Sequence, residues 1–338
     1  MGIAPILKSN AYGHGLTTVA KLLDTEGVSF FMVDSLYEAQ QLRHAGVHSR
    51  ILVMGYVRPM DMVRSRLKNV DFALVDIEQL RELSSIATHT LRIHLKLDTG
   101  MHRHGIPEGD FDEALTLLAS TPSLQVVGVC SHFADADNED ETHTKEQVAL
   151  WNKLLPRVQG AFPSISYIHL SATKGVRFAK GTGTNVIRLG MGLYGIDTSP
   201  NDSLSLMPVL SMHSTISSIR SVQKGEWVGY NATYTASTPR RIATVPAGYF
   251  EGVDRALSGT GFIEVREVMC PIVGRISMNM SSIDVTDVPG VSVGDVVTIM
   301  SRNPKDPNSV ASVAKSAHTT PYVILVHIPQ HLRRVVEI

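Results

Sequence analysis

The first apolar run of the chain ends on a cation. In PILKSNAYGHGL (Pro5 to Leu16) a short hydrophobic stretch closes with Lys8, and a turn of Asn, Tyr, Gly, His and Gly follows at once. An ammonium at the end of a buried strand is costly unless it is paired or used chemically, and a lysine amine forms covalent links to carbonyl compounds. Four later stretches repeat the sequence of apolar run and polar cluster: KLDTGMHRHGI (Lys96 to Ile106), SHFADAD (Ser131 to Asp137), HLSATKG (His169 to Gly175) and RLGMGLYG (Arg188 to Gly195). Taken singly, a lysine or histidine at a strand end is more often a hydrogen-bonded structural group. Five polar clusters on a common rim favour a site.

The elements that would carry these clusters are legible from the pattern. Strand-like runs occur at 4–8, 29–33, 50–54, 71–75, 91–97, 124–130, 165–170 and 185–190. Between them lie helix-period segments such as LTTVAKLLDTEG and SLYEAQQLRHAG, the latter with Ser35 as N-cap and Gly46 as its stop. Alternating strands and helices imply a parallel sheet. Eight strands in the first two hundred residues fit a closed (β/α)8 TIM-like barrel, whose functional side chains collect at the C-terminal ends of the strands. An open doubly wound sheet is the alternative, weakened because no glycine-rich dinucleotide fingerprint follows the first strand.

After TSPNDSLSLMP, a polar connection, the pattern changes to β-branched and glycine-rich runs: VLSMHSTISSI, RRIATVPAGY, GFIEV, PIVGRISMNMSSIDV and GDVVTIM. Their length and turn spacing predict a mostly antiparallel β domain. One helix-like stretch, SVASVAKSAHTT, comes late, with PYVILVHI after it. The expected division is a barrel over 1–205 and a C-terminal β domain over 206–338.

Composition bounds the function classes. The chain has 338 residues, 43% hydrophobic and 19% charged, with 31 Lys+Arg against 32 Asp+Glu. That balance offers no global field for nucleic acid or an anionic membrane. No apolar run reaches the roughly 18 residues of a membrane span, and no basic segment followed by an apolar stretch suggests export, so the cytoplasm is expected. Cys130 and Cys270 form no disulfide framework and no metal motif, and no metal is expected.

LKSNAYGHG resembles the pyridoxal-phosphate lysine motif of the alanine racemase family. KLDTGMHRHG, SHFADAD, NVIRLGMGLYG, VPAGYFEG and GRISMNM are similar to the family's later motifs, in its order and at its spacing. The resemblance covers both domains. The family usually carries a few dozen further residues before the lysine strand, contributing a strand to the β domain.

The resemblance implies a pyridoxal-phosphate-dependent amino-acid racemase, an isomerase interconverting L- and D-alanine and supplying D-alanine for cell-wall peptidoglycan. In it Lys8 holds pyridoxal 5'-phosphate covalently. Tyr12, Thr173, Tyr322 and the backbone N–H groups of Gly190 and Met191 bind its phosphate. A Ser usually stands at the position of Thr173, and an Asn often precedes it where this chain has Ala172. Arg188 faces the pyridine nitrogen, and an arginine can only donate, so the cofactor becomes a weaker electron sink. His169 orients Arg188, and His132 lies against the ring. Asp137 is either near the entrance or on a solvated face.

Racemisation needs a proton removed from one face of Cα and delivered on the other. Lys8 serves one face. Tyr249, in VPAGYFEG, matches the second acid/base, with His132, Arg188 and His169 as its supporting set. In the family this tyrosine comes from the partner subunit, which implies a homodimer with shared active sites. Arg103 would bind the substrate carboxylate and Met278 would contact it through its backbone. Lys96 matches a lysine that many relatives carry as a carbamate; the alternative is an unmodified lysine paired elsewhere. Asn279 stands where the family commonly has Asp, which alters the charge at that contact, and Arg275 is nearby in the same motif.

Other readings remain open at this stage. Ala172 and Asn279 leave room for a racemase of broader or different amino-acid specificity. A decarboxylase on the same architecture would usually carry a cysteine at the subunit contact, and GRISMNM has none. A non-catalytic pyridoxal-phosphate-binding protein would match the single-barrel relatives, which lack the C-terminal domain. A barrel with a merely structural lysine would hold no cofactor.

Overall fold

The computed structural model describes residues 1–197 and 205–337. Most of the polar connection at 198–208 therefore lies outside the described residues. The chain divides into two compact units. One holds Met1–Ala11, Leu16–Leu193 and Asp197; the other holds Tyr12–Gly15, Tyr194–Ile196 and residues 205–337.

The first unit is the parallel barrel. Strands β2 (Phe30–Val33), β3 (Arg50–Val53), β4 (Val70–Leu74), β5 (Leu91–Lys96), β6 (Leu124–Cys130) and β7 (Tyr167–His169) pair in sequence order, all parallel. β1 (Gly2–Pro5) pairs with β8 (Val186–Leu189). Single parallel bridges, Ile6 to Met32 and Ala172 to Arg188, link that pair to β2 and to the end of β7, which closes the ring. Strands such as β2 and β4 are buried along their whole length, as expected where both faces of a parallel strand are covered. The sequence 35–46 folds as read: Ser35 caps the helix Leu36–His44 in a capping box with Glu38, and Gly46 follows at φ +83°.

The start of the chain differs from its pattern. Strand β1 ends at Pro5, and Lys8 opens a turn in which Ser9, Asn10, Ala11 and Tyr12 all have φ between 50° and 58°. Four successive non-glycine residues in the left-handed region carry strain that surrounding contacts must hold. The Asn10 side-chain oxygen accepts the Leu16 N–H at 2.9 Å. Gly13, at φ +81°, has the Leu325 carbonyl 2.0 Å from where a Cβ would stand. Arg334 donates to the Gly13 carbonyl at 2.7 Å and 3.2 Å. The turn is thus pinned through its glycine, and apolar periodicity alone does not encode it.

The second unit is mostly antiparallel. β15 (Val268–Pro271), β14 (Phe262–Val265), β17 (Val296–Met300) and β9 (Met212–Thr215) form one sheet in that order. β10 (Ser218–Val222), β13 (Arg240–Val245) and β16 (Ser281–Asp284) form another, and β11 (Trp227–Val228) pairs with β12 (Tyr234–Thr235). The late helix-like stretch folds as Val310–Ser316, and PYVILVHI becomes a second helix, Pro321–Val326, with its proline in the first turn. Among the described residues no helix is long and apolar enough to cross a membrane, and no cluster of potential metal ligands occurs.

Candidate active site

Arg188 is the centre of the barrel's polar interior. It is 4% exposed, on β8, and every contact of its guanidinium is to an acceptor. Nη2 donates to the Ser131 carbonyl at 2.8 Å, the Leu170 carbonyl at 2.9 Å and His132 Nδ1 at 2.8 Å. Nη1 donates to the His169 carbonyl and, at 3.2 Å, to His169 Nδ1. Carbonyls at the ends of β6 and β7 therefore fix the guanidinium plane. Burial lowers the Arg188 pKa, yet a guanidinium remains a donor under any ordinary condition. His132 and His169, both expected from their motifs, are brought directly against it.

The rest of the rim is cationic. His132 is pushed down to about 3, first by burial and then by the charges of Arg188, Lys96, Arg103 and Lys8. Burial also lowers the Lys96 ammonium, a shift opposed by Cys130 and reinforced by Arg103, Arg188 and Lys8. Arg103 is exposed on the loop after β5. Lys8 lies 3.5 Å from Asp34, with both side chains well exposed, so that ion pair contributes little. A rim of Lys8, Lys96, Arg103 and Arg188 is suited to anionic ligands. Asp137 pairs instead with Lys174.

A second part of the barrel rim fits a phosphate. The N–H groups of Gly190 and Gly192 both point at the Thr173 hydroxyl, at 3.2 Å and 3.4 Å. A Cβ on Gly192 would stand 2.7 Å from Thr173 Cγ2, so only glycine permits this approach. Converging amides beside a hydroxyl form a cradle of donors for an anion. Ser171 Oγ, fully buried next to this loop, has no hydrogen-bond partner among the described residues. Met191, also expected here, is buried and opens a 3-10 turn, Met191–Tyr194. These donors fit the phosphate and ring nitrogen of pyridoxal phosphate.

In the other unit Tyr12 is buried, with its ring 5.3 Å from Tyr194 and 5.9 Å from Tyr322. Tyr322 is 39% exposed on the helix Pro321–Val326. Tyr249 begins a 3-10 turn and is 45% exposed. Its loop is locked to GRISMNM: Tyr249 N–H donates to the Ser277 carbonyl at 3.2 Å and Phe250 N–H to the Met278 carbonyl at 2.9 Å. Glu251 accepts from the Gly248 amide at 2.9 Å and from the Asn279 side chain at 2.8 Å. Asn279 thereby acquires a physical account, since an aspartate there would set two carboxylates against each other. A cleft runs beside Tyr249, lined by Tyr230, Arg255, Met278 and His327.

Sequence reading missed Asp71, His94 and Glu251. The first two had a faint signal: a histidine inside the apolar run LRIHLKL and a carboxylate opening DFALV. Glu251 lies within VPAGYFEG, but nothing local ties it to residue 279.

Comparison with known proteins agrees with this architecture. The family profile "Alanine racemase, N-terminal domain" matches residues 1–198, and "Alanine racemase, C-terminal domain" matches 209–336. The alanine racemase of Lactobacillus acidophilus is 34% identical over 343 residues, covering 98% of this chain and 89% of that protein. That of Staphylococcus carnosus is 33% identical, covering 99% and 88%. The crystal structure of alanine racemase from Bacillus anthracis with bound L-Ala-P superposes with a TM-score of 0.87 at 31% identity, covering 97% of this chain and 86% of that one. Both domains of the barrel-plus-β architecture are therefore matched in order and nearly in full, and the chain belongs to the alanine racemase family of amino-acid isomerases.

Proposed function

We propose that the protein interconverts L- and D-alanine with pyridoxal 5'-phosphate, using Lys8 on one face of the substrate and Tyr249 of the partner subunit on the other. The observation that carries this is the setting of Arg188: a buried guanidinium, fixed by carbonyls and two neutral imidazoles, beside a rim of cations. The cofactor, when bound, withdraws electrons from Cα and makes its proton removable. Lys8 would hold the cofactor and, once released by substrate, exchange a proton at Cα. Thr173, Tyr12, Tyr322 and the amides of Gly190 and Met191 would bind the phosphate. Arg188 would donate to the pyridine nitrogen without yielding a proton, with His169 holding it in orientation and His132 against the ring. Arg103 and the Met278 backbone would bind the substrate carboxylate.

Tyr249 is exposed among other aromatic and methionine side chains, which supports a homodimer as the catalytic unit. A carbamate at Lys96 would give the cationic rim an anion next to Arg103, in keeping with a buried ammonium whose pKa is lowered. We further propose domain limits of 1–205 and 206–338, a cytoplasmic location and a role in supplying D-alanine for peptidoglycan.

The test is an amino-acid panel with chiral analysis of the products, run beside the visible spectrum. Racemisation of alanine by a yellow protein that loses its colour on borohydride reduction is the expected result. A colourless protein that cannot be reconstituted with the cofactor ends the proposal. Turnover of a larger amino acid in preference to alanine replaces the substrate while keeping the mechanism.

A further inference from the structure

The polar contacts of Arg188 continue far into the barrel. His169 Nε2 lies 2.8 Å from His94 Nδ1, and His94 Nε2 lies 3.3 Å from Asp71 Oδ2. Asp71 Oδ1 accepts from Arg50 Nη1 and Arg92 Nε, both at 2.8 Å. Asp71, His94 and His169 are all fully or almost fully buried. Asp71, Arg50 and Arg92 lie at the N-terminal ends of β4, β3 and β5, so the chain of contacts runs through the barrel interior away from the rim.

We propose that Asp71 and His94 are positioning residues for Arg188: an ionised Asp71 sets the proton on His94, and His94 sets the proton on His169, so that His169 can only accept from the arginine. The argument is one of donors and acceptors. A carboxylate can only accept, so His94 Nε2 carries a proton. A neutral His94 then offers Nδ1 as acceptor, which requires a proton on His169 Nε2. That leaves His169 Nδ1 bare toward Arg188 Nη1. Adding a proton to either imidazole would place two N–H groups face to face, at 2.8 Å between the rings or at 3.2 Å against the guanidinium. Burial lowers the pKa of His94 against the opposing pull of Asp71, and burial with the nearby Arg188 charge lowers that of His169, in keeping with two neutral rings. Burial acts to raise the Asp71 pKa, but the His94 and Arg92 hydrogen bonds and the Arg50 charge outweigh it, and the net shift is downward.

The fold makes room for this relay at one position. The β5–β6 register shifts between Ile93 and His94, bringing His94 opposite Gly128. A Cβ on Gly128 would stand 2.3 Å from His94 Nδ1. The ring packs beside both Phe30 and Tyr167, with centroids 5.8 Å and 5.4 Å away, in a three-ring cluster. His132 obeys the same logic, since its Nδ1 accepts from Arg188 and its proton therefore sits on Nε2.

This inference rests on the reading of Arg188 as the ring-nitrogen partner, but its test does not need turnover. Selective ¹⁵N-histidine labelling of the purified protein, with its cofactor as isolated, reads which ring nitrogen carries hydrogen. His94 and His169 are expected as neutral rings protonated on Nε2 at pH 7. An imidazolium, or a proton on Nδ1 of either ring, overturns the proposal. The variants sharpen it. In His94→Gln the amide can still donate to Asp71 and accept from His169, so the His169 signal should stay as in the wild type. In His94→Phe the arginine remains to disfavour a proton on His169 Nδ1, but His169 Nε2–H loses its acceptor, so the His169 nitrogen signals should move and the Nδ1-protonated form should gain population. His169 signals identical to the wild type in His94→Phe overturn the assignment of His94 as a group that sets its proton. Should the Phe variant fail to fold, the wild-type spectrum and a shifted His169 in His94→Gln are each enough to refute the relay. Loss of racemisation with the tautomers intact would instead count against the racemase reading.

Discussion

Arg188, in the barrel unit, is 4% exposed, and Tyr249, in the C-terminal unit, is 45% exposed. The arginine is enclosed by acceptors drawn from two strand ends, and its neighbours are in turn hydrogen-bonded to theirs. Around the tyrosine the backbone is just as firmly tied, but the side chains face outward: Phe250 is 55% exposed, Met278 56% and Met280 50%. One region finishes its polar network within a single chain. The other presents aromatic and thioether surface on a rigid loop, the composition of an interface core. On the proposed reading the difference is functional: a donor for a cofactor ring nitrogen would have to be preorganised and dry, whereas a group contributed across an interface would have to be left uncovered by its own chain.

The largest effect expected from breaking this contrast comes from mixing two dead variants. Lys8→Ala and Tyr249→Phe should each lose on the order of 10²–10⁴-fold or more in turnover, the contribution of a positioned acid/base. If sites are shared across a dimer, equal mixing after subunit exchange should restore about a quarter of wild-type activity, since half the dimers are mixed and one of their two sites is intact. No recovery, with exchange verified by mass, would place Tyr249 in the site of its own chain.

Next in size is the arginine itself. Arg188→Lys keeps the charge but cannot serve the carbonyls of Ser131, His169 and Leu170 together with two imidazoles. Leaving one or two buried acceptors unsatisfied should cost about 1–3 kcal/mol each in a urea titration. A variant as stable as the wild type would show that the network does not hold the barrel interior.

The buried histidines also tie stability to pH, and the sign follows from their neutral native state. His94, His132 and His169 all have lowered pKa values, chiefly through burial. Below the unfolded value near 6.5 the unfolded chain takes up protons that the native chain refuses, so stability falls as pH drops. Each histidine adds a slope of up to about 1.4 kcal/mol per pH unit, for His132 continuing down to about 3. Asp71, with its lowered pKa, adds to the loss at still lower pH, as its native carboxylate is finally protonated. Unfolding midpoints between pH 7 and 4 check this, and a flat profile contradicts the neutral-ring assignment.

The smallest effect is at the exposed end of the comparison. Asn279→Asp replaces an amide donor to Glu251 by a second carboxylate. On a solvent-facing loop this should cost no more than about 1 kcal/mol, visible as a small drop in thermal midpoint at neutral pH that closes as the solution is acidified. An unchanged midpoint would mean that the Glu251 contact does not restrain the Tyr249 loop.

Much of the barrel could be read from local pattern because each βα unit carries its own apolar rhythm and its own stops, as Ser35 and Gly46 show. Thr173, Arg188 and the glycines beside them were legible through motifs that are contiguous in the chain. The left-handed turn after β1 was not, because the glycine that follows it is fixed by Arg334, 321 positions downstream. PYVILVHI gave no clear state, since a short apolar run fits a strand or a buried helix equally well until its packing is known.

The amino-acid order by itself determined which chemical groups the protein owns and at which strand ends they emerge, because strand period, caps and motif spacing act over a few residues. Only the tertiary structure decided which of them touch. Asp71 and His94 are 23 positions apart, His94 and His169 75, and His169 and Arg188 19. The placement of a proton on an imidazole depends on distances of about 3 Å between such residues, and the closed ring of strands is what sets those distances.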